Sequence, residues 1–306
     1  METLERMTDA EAYSHQPVLL AEVLDQLITD RGGLYLDATL GLGGHSEAIL
    51  RAISPNGRLI ALDMDPDSLR RASARLADFG PRLRPVRANF RDAGAVLERE
   101  RFFPLAGALF DIGVSSMHFE KAERGFSFQR EGPLDMRLDP DNPLSAATIV
   151  NVWPEEQIAL LLKEFGEEPQ ASKISRAIGE RRRKGPIKTT TELAELIEKT
   201  IGRFGGTHPA TRSFQALRIA VNAELENLTR GVESVLPQLQ AGGRLCVITF
   251  HSLEDRIVKR LFESFVSQGS CRFIEGAAKG AIKPSAAEID VNPRARSAKL
   301  RAVEKL

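Results

Sequence analysis

The chain has 306 residues, enough for one large α/β domain carrying an insertion or for two ordinary domains. Its 42 Lys and Arg residues balance 42 Asp and Glu, so bulk attraction to a polyanion is excluded and any such partner must be met by a local patch. The two cysteines, Cys246 and Cys271, have no metal-ligand spacing and read as reduced structural thiols; no apolar stretch is long enough for a signal peptide or a membrane span, which points to a soluble cytosolic protein.

After a polar stretch, Met1–Ser14, that reads as disordered, Val18–Leu27 has helical apolar spacing. Leu34–Ala38 is an apolar run with one acid and reads as a strand, followed by a turn carrying Gly41, Gly43 and Gly44. His45 stands where a helix begins, with Ala48, Ile49 and Ala52 opening its apolar stripe; the chain returns as the strand Leu59–Leu62 and ends at Asp63. Strand and helix continue to alternate through a helix at Asp67–Ala77, a strand at Leu83–Phe90, a short helix at Ala93–Glu100 and a strand at Ala106–Gly113. That alternation predicts a doubly wound, Rossmann-like parallel sheet whose ligands sit at the carboxyl ends of the strands, where Asp37, Asp63, Phe90 and Asp111 fall.

The alternation then stops. Ser115–Asn142 is rich in Gly, Pro and charge, and Pro154–Phe165, Ala171–Arg183 and Thr191–Ile201 read as three successive helices, the last with Thr189 and Glu192 at capping-box spacing. The expected organisation is a sheet domain beginning over residues 1–137, an inserted helical subdomain over 138–210 and the remainder of the sheet domain over 211–306. Within 211–306 a single long helix carries Phe214, Leu217, Val221, Leu225 and Leu228 on a single stripe and leads into the strand Arg244–Phe250; a helix at Leu253–Val266 and strands at Cys271–Glu275 and Ala298–Val303 follow. Two basic patches stand out: Lys173–Lys188, with Glu180 as its one acid, and Arg294–Arg301, with none. Each alone is a solvated face as readily as a site; together they point toward RNA or DNA.

Glycines where backbone must pass close to a ligand, with a carboxylate at the end of the next strand to take both hydroxyls of a ribose, suit an adenosine-containing cofactor. A strand-to-helix turn packed tightly by glycine is the bland alternative. The turn reads G-L-G-G-H rather than G-x-G-x-x-G, and no Gly-Lys-Ser/Thr occurs, so a P-loop is excluded and a dinucleotide site is disfavoured.

The ordered motifs DATLGLGGHS, ALDMDP, ANF, DIGVSS, ERGFSF, GPLDMR, RSFQALRIAVNAEL, TFHSLEDR and NPRARSAKLR resemble the RsmH (MraW) family over about His15–Arg301. This is a family of class I methyltransferases that modify the N4 amine of a cytidine in the decoding region of 16S ribosomal RNA, using S-adenosylmethionine. The resemblance implies cofactor contacts at Gly43, Gly44, His45, Asp63, Phe90, Asp111 and His118, the last at a position where the family often carries glutamine. It also implies 16S rRNA within the small ribosomal subunit as partner.

For chemistry the candidates are Asp111, as acceptor of a hydrogen bond from the target amine, with His251 and Asn222 on the substrate side. Asp111 serving the cofactor alone, with backbone near Gly113 as acceptor, is the alternative. Phe126 and Phe128 stand equally as stacking groups for an extruded base and as plain core. A methyltransferase acting on another nucleic-acid base, an NAD-dependent oxidoreductase and a non-catalytic RNA-binding assembly factor are the rival readings.

Overall fold

The computed structural model describes residues 17–113, 121–203, 205–274 and 280–306. The chain divides into two compact units, one made of Met1–Gly113 with Asn227–Leu306 and the other of Val114–Glu226.

In the first unit, helix α1 (Leu20–Leu27) precedes β1 (Leu34–Asp37), α2 (Gly44–Ala52), β2 (Arg58–Asp63), α3 (Pro66–Arg75), β3 (Leu83–Arg87), α4 (Ala93–Glu100) and β4 (Leu105–Ile112). Helix α3 starts at a signal visible in the sequence: the Asp65 side chain accepts the Asp67 N–H and Pro66 occupies the first turn, where its missing donor costs nothing.

The second unit holds α5 (Ala146–Val152), α6 (Glu155–Gly166), α7 (Ala171–Arg182), α8 (Thr190–Ile201) and α9 (Thr211–Asn222). Within α10 (Glu224–Val235) the chain passes back to the first unit, which is completed by β5 (Leu239–Thr249), α11 (Ser252–Ser267), β6 (Cys271–Phe273), α12 (Ala286–Val291) and β7 (Lys299–Lys305).

The seven strands are ordered β3-β2-β1-β4-β5-β7-β6. The first five are parallel, and β7 runs antiparallel between β5 and β6. The central strands carry buried apolar side chains on both faces, as a sheet covered on both sides requires: Leu36, Ile60, Leu62, Ala108, Phe110, Leu245 and Val247 join one core, while Tyr35, Leu59, Leu109, Cys246 and Ile248 join the other. Cys246 and Cys271 are free and buried thiols, and burial pushes Cys246 up to about 12 and Cys271 up to about 11.

The helical unit has its own core of Phe126, Leu134, Ile149, Ile158, Leu162, Ile174, Leu193, Phe214 and Leu217. It is wider than the expected 138–210, because Phe126, Leu134 and helix α9 pack into that core. The single long helix expected from the Phe214–Leu228 stripe is two helices, broken at Ala223 in the left-handed conformation (φ 49°). The apolar spacing stays in phase across the break, and its two halves serve different cores, Phe214, Leu217 and Val221 the helical one and Leu228 the sheet. Among the described residues no helix is long and apolar enough to cross a membrane.

Candidate active site

The turn after β1 is bare backbone for a steric reason. Gly43 caps α2 at φ 84°, where an added Cβ would stand 2.9 Å from Leu76 Cδ1, and one at Gly44 would stand 2.5 Å from Pro17 Cγ. Asp37, at the end of β1, is 1% exposed; it accepts the Ser46 hydroxyl at 2.6 Å and the Thr39 N–H at 3.0 Å, and burial raises its carboxyl pKa. His45 lies buried in the first turn of α2. Among the described residues neither of its ring nitrogens has a hydrogen-bond partner, and burial lowers its pKa to about 4, so the ring is neutral at neutral pH.

Asp63 ends β2 and holds the turn from the other side: one carboxylate oxygen accepts the Gly41 N–H and the other the Asp65 N–H, both at 2.8 Å. Each oxygen keeps a second lone pair for a hydroxyl donor. Burial pushes this carboxyl up to about 7, with Asp65 and Asp37 adding to the shift and the two amide bonds opposing it. Phe90 opens a single helical turn capped by Asn89, whose side chain accepts the Arg91 N–H at 3.0 Å, and its ring meets Phe110 edge-on at 5.8 Å.

Asp111, near the end of β4, completes the group. Its Oδ2 is 3.6 Å from His45 Nε2, its buried Oδ1 has no hydrogen-bond partner among the described residues, and its backbone N–H donates to Thr39 Oγ1 at 2.8 Å. Burial, then Asp37 and Glu254, push its carboxyl up to about 7. The described cofactor candidates Gly43, Gly44, His45, Asp63, Phe90 and Asp111 therefore stand together at the carboxyl ends of β1, β2, β3 and β4; His118 lies outside the described residues.

His251 follows β5 and is the N-cap of α11. Its Nδ1 accepts the Glu254 N–H at 3.4 Å and its Nε2 stands 3.0 Å from Glu254 Oε1, while Glu254 Oε2 accepts the N–H groups of Phe250 at 2.7 Å and His251 at 3.2 Å. Nδ1 thus caps the helix, whereas Nε2 lies beside Glu254, an acid 1% exposed, and has no hydrogen-bond partner among the described residues. Glu254 carries no site signal of its own in the sequence, whereas Asp37 is legible there as an acid at a strand end. The His251-to-Glu254 spacing is that of a capping box, hidden because His is not among the usual N-cap residues.

Asn222 belongs to the helical unit, whereas the sheet-end group belongs to the first. Its Oδ1 accepts the Leu138 N–H at 2.8 Å, and its Nδ2 donates to the carbonyls of Met136 at 2.8 Å and Arg218 at 2.9 Å. It thereby braces the turn at Met136, whose φ is 63°. Phe126 is buried in the helical core, and Phe128 packs on His208 at 4.6 Å and Phe214 at 4.8 Å.

The first basic patch is split. Arg181 pairs with Glu192, Arg182 donates to the Val150 carbonyl and Arg183 reaches Glu155, whereas Lys173, Arg176, Lys184 and Lys188 are exposed. In the second, Lys299 and Arg301 both bind Asp255 at 2.7 Å, leaving Arg294 and Arg296 exposed.

A five-stranded parallel sheet extended by an antiparallel β7 inside β6, a glycine cradle after β1, a neutral histidine in the first turn of α2 and acids ending β2 and β4 define an S-adenosylmethionine-dependent methyltransferase. The polar groups fit that cofactor: orphaned ring nitrogens on His45 and open lone pairs on Asp63. The model of the MraW methylase family matches residues 12–306. The chain is 48% identical to the ribosomal RNA small subunit methyltransferase H of Symbiobacterium thermophilum over 96% of this chain and 98% of the relative. Proteins of the same description from Geobacter sulfurreducens (47%, covering 96% and 99%) and Syntrophobacter fumaroxidans (43%, covering 98% of each) match likewise. The chain belongs to the MraW methylase family.

Proposed function

We propose that the protein methylates the N4 amine of a cytidine in the decoding region of 16S rRNA, presented within the small ribosomal subunit. The observation that carries the chemistry is Asp111: a carboxylate near the end of β4, beside the glycine turn, with one buried oxygen unpartnered among the described residues and a pKa raised to about 7. The relatives' description as small-subunit rRNA methyltransferases supports the substrate.

When bound, S-adenosylmethionine supplies an electrophilic methyl group whose bonding pair returns to sulfur as the new N–C bond forms. The chain's own residues do the rest. Gly43 and Gly44 keep the turn low enough for the cofactor to approach, and neutral His45 is a ring donor that adds no charge of its own. Asp63 takes the ribose hydroxyls on its spare lone pairs. Asp111 Oδ1 accepts a hydrogen bond from the target amine, whose lone pair is otherwise delocalised into the cytosine ring, and takes the proton that the nitrogen must shed. A pKa near the working pH is what such an acceptor needs, because it is then both substantially ionised and basic enough. His251 and Asn222 act as positioning groups, through the α11 cap and the Met136 turn. The exposed cations Lys173, Arg176, Lys184 and Lys188 contact RNA phosphate.

The test is incubation with labelled S-adenosylmethionine and either naked small-subunit rRNA or assembled small subunits, followed by digestion to nucleosides. N4-methylcytidine is the expected product, with more from assembled subunits. Label in another nucleoside overturns the base assignment, and none in either substrate overturns the activity.

A further inference from the structure

Asp111 is useful as an acceptor only if it is held at a fixed place relative to the glycine turn, and a chain of hydrogen bonds does this. The Asp111 N–H donates to Thr39 Oγ1 at 2.8 Å. That acceptance leaves the Thr39 hydroxyl hydrogen to point at Asp37 Oδ1, 3.5 Å away, which also takes the Thr39 N–H at 3.0 Å. The other oxygen of Asp37 takes the Ser46 hydroxyl at 2.6 Å. Ser46 adjoins His45, whose Nε2 stands 3.6 Å from Asp111 Oδ2. The bracket therefore grips the Asp111 backbone through Thr39, while its carboxylate lies opposite, without a hydrogen bond to it, a ring on the helix that Ser46 anchors. Flanking bonds extend the strand pairing past the end of β1, from Ala38 N–H to the Leu109 carbonyl and from Leu40 N–H to the Leu62 carbonyl, both to backbone. The Thr39 hydroxyl is thus the side-chain tie between the turn and Asp111.

We propose that Thr39 is a positioning residue for methyl transfer: with Asp37 and Ser46 it locks the backbone of Asp111 to the cofactor turn, and it acts through Asp111 rather than through cofactor affinity. This rests on the reading of Asp111 as the amine's acceptor. Displacement of a reacting group by a fraction of a bond length lowers a rate far more than it lowers binding.

The test is a double-mutant cycle of Thr39→Val and Asp111→Asn, with Thr39→Ser as the conservative variant. Single-turnover rates are taken at saturating S-adenosylmethionine, with calorimetric affinity for S-adenosylhomocysteine and thermal midpoints alongside. Thr39→Val keeps the shape and loses the acceptor, so its rate should fall about tenfold or more while affinity stays within about threefold, and Thr39→Ser should return to within about threefold of wild type. In the Asp111→Asn background Thr39→Val should cost no more than about twofold further, since residues acting through one another are not additive.

Thr39→Ser as slow as Thr39→Val, an affinity loss that matches the rate loss, or multiplied losses in the double variant would each overturn the proposal. A slow Asp111→Asn with a fast Thr39→Val removes Thr39 alone, whereas a fast Asp111→Asn removes the acceptor reading itself. Should Thr39→Val not fold, Thr39→Cys, a weaker acceptor of similar size, should be slower than Thr39→Ser at an unchanged affinity; a wild-type rate there overturns the proposal.

Discussion

His45 Nε2 and Asp111 Oδ2 stand 3.6 Å apart, yet at neutral pH they are not an ion pair. Burial lowers the imidazole to about 4 and raises the carboxyl to about 7, so the ring gives up its proton before the acid does. The site without cofactor is held close to neutral by desolvation, and the arrival of a sulfonium cation changes which protonation state is favoured.

A pH dependence follows. Asp63 and Asp111 have folded pKa values above the unfolded one, so the stability they contribute is fully present below about 3.8 and is lost as pH rises through about 7. The depressed His45 has the opposite sign, but its contribution levels off above the ordinary histidine value of 6.5. Between about pH 6.5 and 8 the loss from the two acids outweighs what remains of the opposite gain from His45, and the thermal midpoint of the cofactor-free protein should fall across that window. Affinity for S-adenosylmethionine should rise over the same window, more than affinity for the uncharged thioether product. Calorimetry at both ends of the range checks this, and equal slopes for the two ligands would show that the acids do not sense the sulfonium.

Asp63 both holds the turn and offers lone pairs to the ribose. Asp63→Ala should weaken cofactor binding by about 1–3 kcal/mol through lost buried hydrogen bonds, and lower the thermal midpoint as the Gly41 and Asp65 amides lose their acceptor. Unchanged affinity would remove Asp63 from the cofactor site.

Asp111→Asn keeps the shape and weakens the acceptor. Turnover at saturating cofactor should fall by roughly 10² or more, the usual scale for a general base. A rate within a few-fold of wild type would move the acceptor to backbone near Gly113.

Because His251 engages α11 through its Nδ1 cap, His251→Asn, itself a good N-cap, should keep the rate within a few-fold, while His251→Ala should cost about 0.5–2 kcal/mol of stability. A large rate loss in His251→Asn at an unchanged thermal midpoint would give this ring a role in proton transfer.

For RNA, the variants to compare are the exposed set Lys173, Arg176, Lys184 and Lys188 and the paired set Arg181 and Arg182. Neutralising the exposed set should flatten the salt dependence of RNA binding, by about 0.7–0.9 in log–log slope for every phosphate no longer neutralised. Neutralising the paired set should instead lower stability, since those guanidiniums tie α7 to Glu192 and to the Val150 carbonyl. An unaltered slope in the exposed set returns this face to plain solvation.

The sequence alone determined the order of the sheet elements, the glycine turn and the acids at the strand ends, because the period of apolar residues and the need for bare backbone near a ligand are local properties. The helix start at Thr190 was legible to within a residue for the same reason, announced by the spacing of Thr189 and Glu192. The break at Ala223 was not, since the stripe from Phe214 to Leu228 stays in phase while its halves enter two cores. Nor were the partners of the polar groups. That Asn222 braces Met136, that His251 caps α11 through its Nδ1, that Arg182 is spent on a carbonyl and that Thr39 ties Asp111 to Asp37 all depend on contacts between residues distant in the chain or on the direction in which a side chain leaves it. Only the tertiary structure decides those, because a buried polar atom takes whichever partner the packing brings within reach, and no local pattern encodes that choice.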